Sequence, residues 1–310
     1  MIRLEHATKK YGGILALRDV SFQIPKGQIV GLLGRNGAGK TTALNLMTGY
    51  FPPTEGVVRV GGMEMMTHPR ECKRLIGYLP ERPPLYDEMT VTEYLAFVSE
   101  LREVTRRSGR AHIEEIIELC ALGEMRGRVI GRLSKGYRQR VGIAQALCGS
   151  PEILILDEPT VGLDPQQIAE TRELIRLLAR EHTVVFSSHI LPEVQQLCAR
   201  VIILHEGRLV SDLELGERSR EIQTLRLRTP MKQGQALSAL RGLGCVLEAE
   251  GASDGEEPEI RITCRRQDER GLAVDQVFRL FARMDMPLRM MREEAEPLEE
   301  IFLRATEGEA

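Results

Sequence analysis

Gln28-Ile29-Val30-Gly31-Leu32-Leu33-Gly34-Arg35-Asn36-Gly37-Ala38-Gly39-Lys40-Thr41-Thr42 carries most of the decision about the fold. An apolar run enters a glycine-rich loop, and a helical pattern follows from Lys40 to Thr48, with Gly49 as its stop. Residues 34–41 match GxxxxGK[ST] in the strand–loop–helix setting that the pattern requires. Glycines let the backbone turn its N–H groups inward as a cradle for phosphate oxygens, and the helix dipole adds to the attraction. Gly34, Asn36, Gly37, Gly39, Lys40, Thr41 and Thr42 are therefore candidate nucleotide-binding residues. Lys40 is expected to reach the β- and γ-phosphates of ATP, and Thr41 to offer its hydroxyl to Mg²⁺.

A second decisive stretch is Ile153-Leu154-Ile155-Leu156-Asp157-Glu158, an apolar strand that ends in two acids. Unpaired carboxylates at the end of a buried strand cost several kcal/mol, so something must compensate them. A divalent cation does so. Neighbouring strand side chains point different ways, which suits a division of labour. Asp157 is expected to hold Mg²⁺, and Glu158 to act as general base on an attacking water.

Outward from these two stretches, short apolar strands alternate with helices over residues 1–215, the pattern of an α/β domain. Helices are expected over 91–102, 111–122, 135–148, 166–181 and 192–198, and strands over 152–156, 183–187, 200–205 and 208–213. A charged linker at 216–221 leads to a smaller α+β domain at 222–310. Its expected order is βαββαβ, a ferredoxin-like split βαβ, with an acidic loop at 250–257 and a final helix at 298–305.

Leu133-Ser134-Lys135-Gly136-Tyr137-Arg138-Gln139-Arg140 resembles the LSGGQ-type signature of ATP-binding-cassette (ABC) ATPases, with Lys135 and Tyr137 in place of the usual Gly and Gln. The resemblance covers Met1 to about Leu215. It implies a P-loop NTPase fold with a mixed-sheet core, a helical subdomain and an antiparallel β subdomain. It also implies a head-to-tail dimer in which Ser134 and Gly136 cap the ATP held by the other subunit. By the same resemblance, Tyr11 in Lys-Lys-Tyr-Gly-Gly stacks on adenine, and Asp164 in Gly-Leu-Asp-Pro lies on the loop facing the partner subunit. His189 in Ser-Ser-His-Ile-Leu is the switch histidine at the γ-phosphate. Glu81 in Gly-Tyr-Leu-Pro-Glu replaces the usual glutamine and is expected to ligate Mg²⁺. The proline-stiffened segment from Glu81 to Met89 is expected to meet a separate integral membrane permease. The catalytic set is then Glu158, His189 and Lys40, and the metal set Thr41, Asp157 and Glu81.

Composition is consistent with this reading. Of the 310 residues, 42% are hydrophobic and 28% charged, with a formal net charge of −3. There is no basic excess of the kind that binds nucleic acid or anionic lipid, so no nucleic-acid partner is expected. Six scattered cysteines form no CxxC pair, which argues against zinc. Apolar runs fall far short of the ~20 residues that cross a bilayer, and the first residues read as a strand rather than a signal peptide. The expectation is a cytoplasmic ATPase subunit, peripheral on the inner face of the membrane, that powers transport, of exporter type. The stretches IGYLPERPPLYDEMTV, GRLSKGYRQRVGIAQAL and SSHILPEV resemble especially the gliding-motility-associated branch and related multidrug-type exporters. The alternatives are a soluble cassette acting on nucleic acid or ribosomes, or a regulatory ATP-binding module. About 95 residues lie between Lys40 and Ser134 without sustained heptads, which disfavours the coiled-coil DNA-repair type.

Overall fold

The computed structural model describes residues 1–104, 106–215, 222–253, 257–265, 272–294 and 302. The chain divides into two units, one over Met1–Leu213 and one over Glu214–Arg304. The linker expected at 216–221 and most of the final helix at 298–305 fall outside the described residues.

In the first unit, a six-stranded sheet is built from β3 (Ile29–Leu33), β6 (Ile76–Leu79), β7 (Ile153–Asp157), β8 (Thr183–Ser188), β9 (Arg200–His205) and β10 (Arg208–Glu214). Its order is β10-β9-β3-β8-β7-β6. Strands β6, β7, β8, β3 and β9 run parallel. All five residues of β7 are buried, as both faces of a central parallel strand require. Strand β10 returns on β9 through Glu206-Gly207, both at positive φ, the geometry of a tight hairpin turn. A second sheet, order β2-β1-β4-β5, joins β1 (Ile2–Tyr11), β2 (Ile14–Ile24), β4 (Glu55–Val60) and β5 (Met63–Glu64) in antiparallel pairs. Leu4, Leu17, Ile24, Leu44, Met47 and Ile155 belong to one core that seals both sheets around α1 (Lys40–Met47).

Helices α2 (Pro69–Arg74), α3 (Val91–Leu101), α4 (Arg106–Leu119) and α5 (Lys135–Leu147) follow, and then α6 (Pro165–Leu178) and α7 (Leu191–Leu197). A capping box, with Thr90 and Glu93 bonding each other's backbone N–H, starts α3. Ser134 caps α5, accepting from the Tyr137 N–H. Helix α4 begins five residues before the sequence reading placed it. Helix α7 lies tight on β3: a Cβ at Gly31 would come within 2.8 Å of both Val194 Cγ1 and Cys198 Sγ.

The second unit has the order β11 (Ile222–Arg228), α8 (Gln233–Arg241), β12 (Val246–Ser253), β13 (Glu259–Arg265), α9 (Leu272–Arg283), β14 (Met290–Glu294). Its sheet order, β12-β13-β11-β14, is that of a ferredoxin-like βαββαβ unit. Leu225, Leu227, Ile260 and Ile262 alternate inward and pack on Leu240, Val277 and Phe281. Strand β12 extends into the expected acidic loop, because Glu250 and Gly251 pair with Arg261 and Ile260.

Candidate active site

A cleft of about 710 Å³ opens over the loop between β3 and α1, a size suited to a nucleotide-sized ligand. Gly34, at the foot of the loop, has no room for a side chain: a Cβ would sit 2.6 Å from the Leu204 carbonyl oxygen. Gly39, the N-cap of α1, has φ 102°, and its Cβ would lie 2.8 Å from the Ala16 carbonyl oxygen. Asn36, Gly37, Gly39, Lys40, Thr41 and Thr42 line the cleft, with Glu81, Glu158 and His189 on its other walls.

The charged groups are joined. Lys40 Nζ donates to the Gly34 carbonyl at 2.7 Å and stands 3.3 Å from Glu158 Oε1. Glu158 Oε2 lies 2.9 Å from His189 Nδ1. Lys40 and Glu158 are 6% and 8% exposed, so this pairing acts in a medium where charge–charge interactions are poorly screened. Glu158 has φ 49°, a left-handed conformation that costs a non-glycine residue roughly 1–2 kcal/mol. The Glu158 N–H is held by Ser187 Oγ at 2.9 Å, and Ser187 Oγ donates in turn to Asp157 Oδ1 at 2.6 Å.

Asp157 is 1% exposed, and its Oδ2 has no hydrogen-bond partner. Burial pushes its pKa up, with the carboxylates of Glu158 and Glu81 adding to the rise, while the hydroxyls of Ser187 and Thr41 hold it down. An orphaned carboxylate oxygen, a threonine hydroxyl and a further carboxylate form a hard-oxygen donor set that fits Mg²⁺. Among the described residues no three His, Cys, Asp or Glu side chains converge to hold a metal by themselves.

Several expected residues lie elsewhere. The Tyr11 ring is outside the cleft lining and packs edge-on against Phe51, 5.7 Å between centroids, with Lys9 Nζ 5.1 Å from the Tyr11 centroid. Asp164 caps α6, its Oδ1 accepting from the Gln167 N–H at 2.9 Å. Ser134 and Gly136 start α5 and do not line this cleft. Sequence reading missed Arg18, which lines the cleft with its Nε buried and unpaired. It also missed Glu193, a buried acid that accepts from Thr160 Oγ1 at 2.8 Å and Ser188 Oγ at 3.0 Å. Glu193 lies four residues after His189 in the stretch Ser187 to Val194, and a charged residue in the apolar frame of Val194 and Leu197 was the available signal for it.

Strand-loop-helix cradle, buried lysine and paired acids together describe a nucleotide triphosphatase, and comparison with known proteins narrows the kind. The ABC transporter family model matches residues 17–161. The ABC transporter ATP-binding protein NatA of Bacillus subtilis is 43% identical over 199 residues, covering 64% of this chain and 81% of that protein. The bacitracin transport ATP-binding protein BcrA of Bacillus licheniformis is 39% identical over 215 residues, covering 69% of each. Among solved structures, the dimeric ATP-binding cassette MJ0796, in a post-hydrolysis state bound to ADP and Pi, superposes with a TM-score of 0.64 at 27% identity. That match covers 69% of this chain and 99% of the other. No helix of the described residues is long and apolar enough to cross a membrane. With a glycine-rich strand-loop-helix and a pair of buried acids carried on a matching cassette, the chain belongs to the ABC transporter family, as an ATP-binding and ATP-hydrolysing subunit.

Proposed function

We propose that this chain powers export through a separate membrane permease, working as a head-to-tail dimer at the cytoplasmic face of the membrane. The observation that carries the catalytic part is the linked set Lys40–Glu158–His189 in one cleft. In this reading Glu158 Oε2 takes the proton of the attacking water, and His189 keeps that carboxylate oriented. Lys40 leaves Glu158 and the Gly34 carbonyl to bind the β- and γ-phosphates. Thr41, Asp157 and Glu81 would hold Mg²⁺, which supplies charge neutralisation to the phosphates when bound. Positioning and electrostatics supply most of the rate enhancement.

Ser134 and Gly136, outside the cleft, would face the nucleotide of the second subunit, with Asp164 nearby on the same interface. Tyr11 would turn from Phe51 onto adenine. The permease would dock on the loop after Glu81. Support for this comes from Tyr86, which is half exposed yet held by edge contacts to Tyr94 and Phe97. The loop also touches α5: a Cβ at Gly142 would lie 2.9 Å from Pro83 Cγ, and Arg138 pairs with Asp87 at 2.6 Å. Movement of the cradle side or of the signature helix would thus reach the docking loop. Export, rather than import, is supported by relatives such as the Nod factor export ATP-binding protein I of Burkholderia orbicola.

The dimer is tested by sedimentation of Glu158→Gln with and without Mg-ATP. The expected result is an ATP-dependent dimer that Ser134→Arg abolishes; a monomer under both conditions contradicts it. For the docking loop, tagged full-length chain should retain an integral membrane protein through purification, and Tyr86→Asp should lose it.

A further inference from the structure

Glu193 is a buried carboxylate with no part in the chemistry described so far. It sits in the first turn of α7, 4% exposed. A single oxygen, Oε2, accepts from two hydroxyls, one on the loop after β7 and one on the last residue of β8. Thr160 Oγ1 donates at 2.8 Å from the loop after β7, two residues beyond Glu158. Ser188 Oγ donates at 3.0 Å from the end of β8, one residue before His189. Ser188 Oγ also accepts the Ile190 N–H at 3.0 Å, which fixes the backbone on the far side of His189. Thr160 and Ser188 are themselves 3% and 1% exposed, so water cannot easily substitute for either bond.

Two facts make this more than local tidiness. The first is the left-handed backbone of Glu158, which persists only where its surroundings hold it. The turn after it is closed by the Val161 N–H on the Glu158 carbonyl at 3.2 Å, and Thr160 lies inside that turn. The second is the close packing of the anchor. Helix α7 is wedged on β3, where a Cβ on Gly31 would meet Val194 and Cys198 at 2.8 Å. A closely packed helix therefore bonds to the segments that carry Glu158 and His189.

We propose that Glu193 is a positioning residue: it clamps the Thr160 and Ser188 hydroxyls and so sets the register between Glu158 and His189. It is not among the residues that line the cleft. The inference rests on the roles given above to Glu158 and His189. Its signature is a split between rate and binding, because ATP is held mainly by the cradle of residues 34–42, on another strand. A misplacement on the order of 1 Å at reacting groups can cost about 10²-fold.

The test uses the full chain, with Mg-ATP turnover and ATP affinity measured in parallel. Glu193→Ala should lower kcat by about 10- to 100-fold with ATP affinity changed less than threefold. Glu193→Gln keeps a carbonyl oxygen able to accept both hydroxyls, and should recover kcat to within about fivefold of the parent. Thr160→Val and Ser188→Ala each remove one bond and should each lower kcat, and either effect should largely vanish in a Glu193→Ala background. They also decide the question if Glu193→Ala does not fold. Unchanged kcat in Thr160→Val and Ser188→Ala, or equal loss of kcat and ATP affinity in the Glu193 variants, overturns the clamp. Glu158→Gln separates the two levels. If it turns over normally, the catalytic reading itself fails; if it is inactive while the Glu193, Thr160 and Ser188 variants run at the parental rate, only the clamp fails.

Discussion

Replacing Ser187 by alanine should damage the protein in a way that depends on pH. The Ser187 hydroxyl is fully buried and serves two neighbours: it donates to Asp157 Oδ1 and accepts the Glu158 N–H. Its removal strands both. A hydrogen bond to a charged group is worth about 1.5–3 kcal/mol, and a buried orphan donor costs about 1–3 kcal/mol. The two losses share one cavity and partly relax together, so we expect about 3–5 kcal/mol near pH 8. Asp157 is already held above the ordinary carboxylate range by burial, and loss of the hydroxyl pushes it further up. A carboxyl whose folded pKa is raised binds more protons folded than unfolded, so stability falls as pH rises from the ordinary aspartate range through the folded value. The penalty of Ser187→Ala should therefore be larger at pH 8 than at pH 5, because the ionised carboxylate depends on the hydroxyl more than the protonated form does. Urea unfolding of the parent and variant at both pH values, without nucleotide, reads this directly. A penalty below about 1 kcal/mol, or one that grows toward acid, would refute the argument.

Other consequences follow from single contacts. Gly34→Ala should abolish ATP binding, because the added methyl meets the Leu204 carbonyl at 2.6 Å and must displace the cradle; fluorescent-nucleotide titration checks it. Phe281→Ala, in the core of the second unit, should destabilise that unit by about 3–5 kcal/mol, read as a shifted unfolding transition. Chelation of divalent cations should stop phosphate release, and Mg²⁺ should restore it in the parent chain but poorly in Asp157→Asn.

The parts of the fold legible in the sequence were those where local pattern and burial agree. The stretch from Gln28 to Thr42 declares itself, because strand, glycines and helix each leave a mark. The apolar β7 with its terminal acids does the same. Helix α4 starts at Arg106 rather than at the expected 111, and it takes in Ser108 and Gly109, residues of weak helix preference. The acidic 250–257 segment misled similarly: cross-strand partners on β13 hold Glu250 and Gly251 extended in spite of their weak strand preference. No element was read at Glu55–Val60, whose strand character comes from its pairing with β1. Within the site, the structure brings Lys40, Thr41, Glu81, Glu158 and His189 to one cleft, whereas the place of Glu193 depends on partners distant in sequence. The Glu193–Thr160 bond spans 33 residues, a relation that no local pattern encodes. Tyr11 shows the converse: its motif is plain, yet its ring rests on Phe51.

The most direct test of the account is phosphate release by Glu158→Gln beside its ATP affinity. The amide keeps the size of the side chain but cannot accept the water's proton. Turnover is predicted to fall by about 10²–10⁴-fold with ATP binding retained. Turnover at the parental rate would contradict the assignment of Glu158 as the base, and with it the reading of the cleft.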